Sequence, residues 1–341
     1  MESALTITPP VSAANASASA DLPLAVGPAI RITSAFMRLA AFHLATQGFP
    51  LSVLCLIANP ARPVLTPRIV ETVQEKTGGT INWLHREIAC EIIDPSAQSP
   101  ETVARQVLND LPVDAARVPA RNRRKRLLLA DMDSTMIEQE CIDEMAAALD
   151  LKPRIAAITA RAMAGELDFA QALAERVSLL AGLDLNTIKS LRRQAITLAP
   201  GGRVLVKTMR EHGAKTVLVS GGFTIFADYF ARRIGFDQAI ANRLEFDENE
   251  TLTGRVTGPL VTAQTKLDQL HRQAEQLGIP LSATLAVGDG ANDLPMILKA
   301  GLGVAMHAKP KVEEKAPVAI RHADLSALLY LQGYGEGDLV Y

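Results

Sequence analysis

Cysteine is scarce in this chain of 341 residues: Cys55, Cys90 and Cys141 are the only three, with no C-x-x-C spacing. An odd, scattered set excludes a disulfide framework and a cysteine-ligated zinc, and fits a reducing compartment. Charge imbalance is missing too. The 35 Lys and Arg against 37 Asp and Glu leave a formal net charge of -2, which offers no electrostatic footprint for nucleic acid or an anionic membrane. The six histidines contain no H-x-x-x-H pair, so the usual helical zinc motif is absent. No apolar run approaches the roughly 20 residues of a membrane span. The opening "MESALTITPPVSAANASASADLP" lacks the basic and continuous apolar regions of a secretory signal, and its Ala, Ser and Pro content reads as a disordered lead-in over residues 1–22. A cytoplasmic protein with no nucleic-acid or membrane partner is expected.

What is there suffices for about two domains. From Leu51 the order reads strand "LSVLCLIA", helix "TPRIVETVQEKTG", strand "TINWL", strand "REIACEIID", helix "SPETVARQVLNDL" and a short strand near "DAARVP". This β-α-β-β-α-β order predicts a small α+β, ferredoxin-like domain over residues 23–120. An apolar helix around "AFMRLAAFHLATQG" precedes it and has no place in that scheme. The basic run "RNRRKR", residues 121–126, reads as a solvated linker rather than a nucleic-acid patch.

Beyond the linker, the apolar runs "RLLLA", "TVLVS", "AIANRLE", "ATLAV" and "GLGVAM" alternate with helical stretches. That predicts an α/β fold with a doubly wound parallel sheet covered on both faces, whose ligands sit at the carboxyl ends of the strands. The residues at those ends are Asp131 and Asp133 of "DMDST", Ser220 and Gly221 of "SGGF", and Asp289, Asn292 and Asp293 of "GDGAND", with Lys266 isolated between the last two groups. Taken singly, each has an ordinary reading: a turn or cap pair, a strand-end turn, an acidic turn, a solvated helix residue. Together they place carboxylates, a hydroxyl beside glycines and a lysine on one rim.

Oxygen-only ligation suits a hard cation such as Mg2+. The lysine and hydroxyl supply donors for phosphate oxygens, and an aspartate is a competent nucleophile toward phosphorus. The set points to phosphoryl transfer through an aspartyl-phosphate. Nucleotide motifs fail in detail: Asp293 stands where a dinucleotide fingerprint wants glycine, and Val206 stands where a P-loop wants glycine before its lysine.

In order, "DMDST", "SGGF", Lys266 and "GDGANDLPM" resemble the four motifs of the haloacid-dehalogenase-like phosphatases. The likeness runs from about Leu127 to Asp324, and the filler, including "ECIDE", "AMAGELDFAQALAERVSLL" and "AGLGVAMHAKPKV", is similar to the phosphoserine phosphatase branch. The resemblance implies a core over 127–137 and 201–330 and an inserted helical cap over 138–200. It makes Asp131 the nucleophile, and Asp133 the acid that protonates the leaving oxygen and later the base on water. Mg2+ would be held by the Asp131 carboxylate, the Asp133 carbonyl and Asp289, with Asp293 behind them. Ser220, the Gly221 N–H, Lys266 and Asn292 would cradle the phosphoryl oxygens.

Specificity is expected in the cap. Phe169, Leu173, Arg176 and Leu180 are spaced four, three and four, which places them on one helix face, expected to point into the site. By resemblance, Arg176 pairs with the carboxylate of phosphoserine and Glu140 with its ammonium, while Met163 and Phe169 close over it. Ordinary alternatives are cap packing for Met163 and Phe169, a snorkelling surface residue for Arg176 and a helix-start acid for Glu140. The implied activity is Mg2+-dependent hydrolysis of phosphoserine, the last step of serine biosynthesis. A phosphatase or phosphotransferase for another small phosphomonoester such as phosphohomoserine, and an amino-acid-sensing regulator, are the alternatives. A homodimer is the assembly considered.

Overall fold

The computed structural model describes residues 52–341; the lead-in expected over 1–22 and the apolar helix expected around residues 35–48 lie outside the described residues. The chain first builds β1 (Ser52–Ala58), α1 (Pro67–Thr77), β2 (Thr80–His85), β3 (Ala89–Ile93), α2 (Pro100–Leu108) and β4 (Val113–Pro119). The Thr66 hydroxyl accepts from the Ile69 N–H and Pro67 fills the first turn of α1, where no N–H is needed. The sheet order β2-β3-β1-β4, with every neighbouring pair antiparallel, is the expected ferredoxin-like arrangement.

All seven residues of β1 are buried. Leu54, Leu56 and Ala58 face α1 and α2 with Cys90, Ile92, Val113 and Ala115. Val53, Cys55 and Ile57, with Ala89, Ala116 and Val118, join instead the large core that includes Leu328, Tyr330 and Leu331. Because strand side chains alternate, a strand covered on both faces has no polar position to show.

The second sheet begins with β5 (Leu127–Ala130). Four helices follow, α3 (Cys141–Ala147), α4 (Lys152–Met163), α5 (Phe169–Ser178) and α6 (Leu185–Gln194). Next come α7 (Gly202–Glu211), β6 (Lys215–Phe223), α8 (Thr224–Ile234), the hairpin β7 (Gln238–Phe246) and β8 (Leu252–Thr257), and α9 (Ala263–Gln276). The chain ends with β9 (Thr284–Gly288), α10 (Leu294–Lys299), β10 (Leu302–Met306), α11 (Pro310–Glu313), β11 (Val318–Ile320) and α12 (Ala327–Leu331). Strand order is β11-β10-β9-β5-β6-β7-β8. All neighbours are parallel except β8, which returns antiparallel along β7. Leu127 and Leu129 pack with Leu270 of α9 and Met296 of α10, while Leu128 and Ala130 face Leu205 of α7 and Phe226 of α8. β5 lies inside the sheet and is apolar on both faces, so its carboxyl end opens onto the only kind of edge where charge can meet solvent.

The basic run is solvated only in part: Arg121, Arg124 and Arg126 are exposed, whereas Arg123 is half-buried and Lys125 buried. Arg123 pairs with the buried Glu91 of β3 and donates to the carbonyls of Tyr330 and Leu331. Lys125 is 7% exposed, its Nζ donating to the carbonyls of Asn122 at 2.6 Å and Ser282 at 2.8 Å. Their charges answer buried acceptors at the seam between the two sheets, which composition alone does not reveal. A second tie is Asp114 of β4, whose carboxylate accepts the N–H groups of Arg321 at 2.8 Å, His322 at 3.0 Å and Ala323 at 2.9 Å. Among the described residues, no helix is long and apolar enough to cross a membrane.

Candidate active site

At the end of β5 the ladder runs one residue further, with Asp131 N donating to Val287 O at 3.0 Å; the chain then turns sharply, the N–H groups of Met136 and Ile137 converging on Met132 O at 2.8 and 3.0 Å. Ser134 adopts φ 55°, a left-handed conformation that completes the turn. The result is that Asp131 and Asp133, pointing the same way two residues apart, both line a cavity of about 340 Å³.

Glu140, Met163, Phe169, Arg176, Ser220, Gly221, Asp289 and Asn292 line the same cavity. Lys266 and Asp293 lie beneath it, essentially sealed from solvent. Lys266 Nζ contacts Asp131 Oδ1 at 2.7 Å and Asp293 Oδ1 at 2.6 Å. Burial alone would push this amine toward its neutral form, but the two carboxylates more than offset that and hold its pKa above the usual lysine range. Burial and the charge of Asp131 raise Asp293 to about 8 against the pull of Lys266. Of these competing tendencies the ammonium keeps its proton, because it touches both carboxylates.

The oxygens left over define what the site can hold. Asp131 Oδ1 accepts from Lys266 and from Met132 N, leaving Oδ2 without a partner among the described residues. Asp289 Oδ1 accepts from the Thr135 hydroxyl at 2.9 Å, which likewise frees its Oδ2. Burial, then the nearby Asp131 charge, raise Asp289 to about 6. Carboxylate oxygens of Asp131, Asp289 and Asp293 lie within 4.8 Å of one another. Asp293, however, spends Oδ1 on Lys266 and Oδ2 on Gly290 N. Asp131 and Asp289 therefore each keep a carboxylate oxygen that a cation could take, and the Asp133 carbonyl accepts no hydrogen bond from the described residues. An all-oxygen, net negative donor set of this kind suits a hard divalent cation.

Asp133 is held differently. Burial, followed by the charge of Glu140, pushes its carboxyl well above the ordinary range, against one long bond of 3.4 Å from Cys141 N. Two carboxyls on one turn are thus set apart: Asp131 beside an ammonium, Asp133 beside the Glu140 carboxylate, which favours the protonated acid. Gly222 allows this approach, since a Cβ there would stand 2.7 Å from Asp133 Oδ2.

The cap supplies the far wall. Phe169, Leu173 and Arg176 face the cavity as their spacing predicts. Leu180 does not: α5 ends at Ser178, and the chain turns Leu180 into the core, where it is fully buried. Arg176 Nε donates to Ala172 O at 3.3 Å, and its two terminal nitrogens have no partner among the described residues. Glu140 accepts from the Ser134 hydroxyl at 2.8 Å; burial raises its pKa and that bond opposes the rise. Met163, 74% exposed, forms part of an open rim rather than a closed cover. Cys141 is buried at the base of α3, as expected of a small packing residue. Thr135 and Lys309 are among the lining and supporting residues to which the sequence assigns no role. Thr135 was within sight, since its hydroxyl follows the two aspartates in "DMDST"; Lys309, exposed on the loop after β10, carries no signal that separates it from any surface lysine.

The family model for haloacid dehalogenase-like hydrolases matches residues 128–298. A phosphoserine phosphatase of Streptomyces coelicolor is 39% identical over 298 residues, covering 84% of this chain and 72% of its own. The crystal structure of a probable phosphoserine phosphatase from Vibrio cholerae superposes with a TM-score of 0.69 at 35% identity, over 84% of this chain and 88% of that one. A structure described as a phospho-aspartyl intermediate analogue of phosphoserine phosphatase gives a TM-score of 0.56 at 39% identity, over 60% of this chain and 98% of that one. By sequence and by fold, the chain belongs to the haloacid dehalogenase-like hydrolases.

Proposed function

We propose that this protein hydrolyses O-phospho-L-serine to L-serine and inorganic phosphate through an aspartyl-phosphate on Asp131, as the last step of serine biosynthesis in the cytoplasm. The observation that supports the reading is one cavity holding, at its floor, an aspartate above a buried lysine and, at its wall, a glutamate and an arginine whose terminal nitrogens have no partner among the described residues. The floor suits a phosphate, and the wall suits an amino acid.

The Asp131 carboxylate attacks phosphorus in line, forming the P–O bond to Asp131 as the bond to the serine oxygen breaks. Asp133, kept protonated by its surroundings, gives its proton to that departing oxygen. Now a base, Asp133 takes a proton from water as the water oxygen attacks phosphorus and the Asp131 oxygen leaves. Positioned proton transfer of this kind contributes roughly 10²- to 10⁴-fold. Ser220, the Gly221 N–H and Asn292 donate to the phosphoryl oxygens, and Lys266 steadies the charge on Asp131 from below.

Mg2+ is the proposed cofactor, held by Asp131, Asp289 and the Asp133 carbonyl. When bound it neutralises the repulsion between the anionic nucleophile and the phosphate dianion. Arg176 receives the substrate carboxylate in its planar fork, and Glu140 receives the ammonium. Phosphate release with Mg2+ from L-phosphoserine, compared with phosphothreonine, phosphohomoserine and an aryl phosphate, tests the proposal. A preference for L-phosphoserine that disappears in Asp131→Asn is the expected result; activity on the other esters alone would overturn the substrate.

A further inference from the structure

Asn242 lies in the middle of β7, 1% exposed, in a strand whose other residues, Leu244 apart, are half-buried or exposed. A buried amide is costly unless every one of its groups is bonded, so its partners are informative. Nδ2 donates to Gly221 O at 2.7 Å and Oδ1 accepts from Val261 N at 2.8 Å. The reverse orientation would set like against like, so the amide has a single way to sit.

The need for it arises in the ladder between β6 and β7. Val219 pairs with Ile240 and Phe223 with Asn242, so four residues advance on β6 against two on β7. Ser220, Gly221 and Gly222 form the bulge that this mismatch creates. Within it, the peptide between Gly221 and Gly222 is held at both ends. Its carbonyl accepts from Asn242, and its N–H donates to Ser220 Oγ at 2.8 Å. A serine hydroxyl has one proton to give. With one lone pair taken by the Gly222 N–H, that proton is free to turn into the cavity that Ser220 lines.

We infer that Asn242 is a positioning residue for phosphoryl transfer: it fixes the Gly221–Gly222 peptide, which orients the Ser220 hydroxyl as a donor toward the phosphoryl group. Its other bond reinforces the assignment. Val261 immediately precedes Thr262, the cap of α9, whose hydroxyl accepts from Thr265 N. α9 carries Lys266. One amide side chain therefore ties the bulge that faces the phosphate to the root of the helix that holds the buried ammonium.

The inference rests on the reading of Ser220 and Gly221 as phosphoryl contacts, and the test separates the two. Asn242→Asp keeps the shape, preserves an acceptor for Val261 N and opposes a carboxylate to the Gly221 carbonyl. In a variant that melts cooperatively, kcat should fall about tenfold or more with KM changed less than about threefold, since a donor that strengthens in the transition state is misaligned. In a Ser220→Ala background the same change should cost less than about threefold, because coupled residues are not additive. Both phosphoserine and p-nitrophenyl phosphate are used as substrates: wild-type activity on the aryl ester alone would remove phosphoserine as substrate and leave the Asn242 test intact. Full additivity with Ser220→Ala, or an unchanged kcat in the folded variant, would overturn the inference. If Asn242→Asp does not fold, Asn242→Ser, small enough for a water to take up either bond, carries the same test; failure of both to fold would assign Asn242 to the fold alone and likewise overturn it.

Discussion

Replacing Arg176 by alanine isolates the substrate's amino-acid end from its phosphate. The guanidinium makes a single bond to its own helix, and its terminal nitrogens have no partner among the described residues. Removing it therefore breaks almost nothing in the free protein, and melting should be unchanged. Truncating one partner of a desolvated charge pair costs about 2–5 kcal/mol. Arg176 is only half-buried in an open cavity, so the lower half of that range applies, about 2–3 kcal/mol, or about 30- to 150-fold in kcat/KM. Because the carboxylate lies far from the reacting phosphorus, the interaction is the same in ground and transition states, and the loss should appear in KM with kcat retained. Steady-state kinetics on phosphoserine and on phosphoethanolamine, which lacks the carboxylate, provide the control. Arg176→Ala should erase the preference between the two by weakening phosphoserine alone. Equal losses on both substrates, or a fall in kcat with KM intact, would refute the placement of the carboxylate at Arg176.

Three further outcomes are expected. Lys266→Met removes the ammonium between Asp131 and Asp293; breaking a buried pair costs about 3–5 kcal/mol, which urea unfolding will register along with lost turnover, whereas wild-type stability would show that the carboxylates relax into solvent. Asp289 is raised to about 6, so its charged form is the one the metal-free fold disfavours. The contribution of this group to metal-free stability falls as pH rises from about 4 through about 6 and then levels off. Mg2+ must displace that proton, and its apparent affinity in a calorimetric titration should weaken as pH drops below about 6, by up to about tenfold per unit; a flat profile would argue against Asp289 as ligand. Asp114→Ala leaves three backbone N–H groups of the 321–323 segment without their acceptor, for a loss of about 1–3 kcal/mol each at most, readable by denaturation; an unaffected midpoint would mean that water replaces the carboxylate.

The strands and the site rim are legible in the sequence because both are local: an apolar run ending in Asp131-Met-Asp133 announces a buried strand and what stands at its end. Partners distant along the chain are not. Lys266 resembles any lysine on a polar helix until Asp293, 27 residues on, is brought against it. Leu180 follows the helical period, but α5 stops two residues short of it. The bulge at Ser220–Gly222 appears only once β7 is laid alongside with fewer residues to match. In β1 the signal is in plain view, since the six residues from Val53 to Ala58 include no polar position and so require cover on both faces.

That double cover bears on how the protein can be divided. The basic run at 121–126 looks like the natural place to cut, with a self-sufficient hydrolase on its far side. A cut there would strip Val53, Cys55 and Ile57 from Tyr330 and Leu331, remove Glu91 from Arg123 and take Asp114 from the backbone it holds. The remaining piece would carry a wet wound of exposed leucine, tyrosine and unanswered cations, so the small sheet serves the hydrolase as an outer wall whatever else it does.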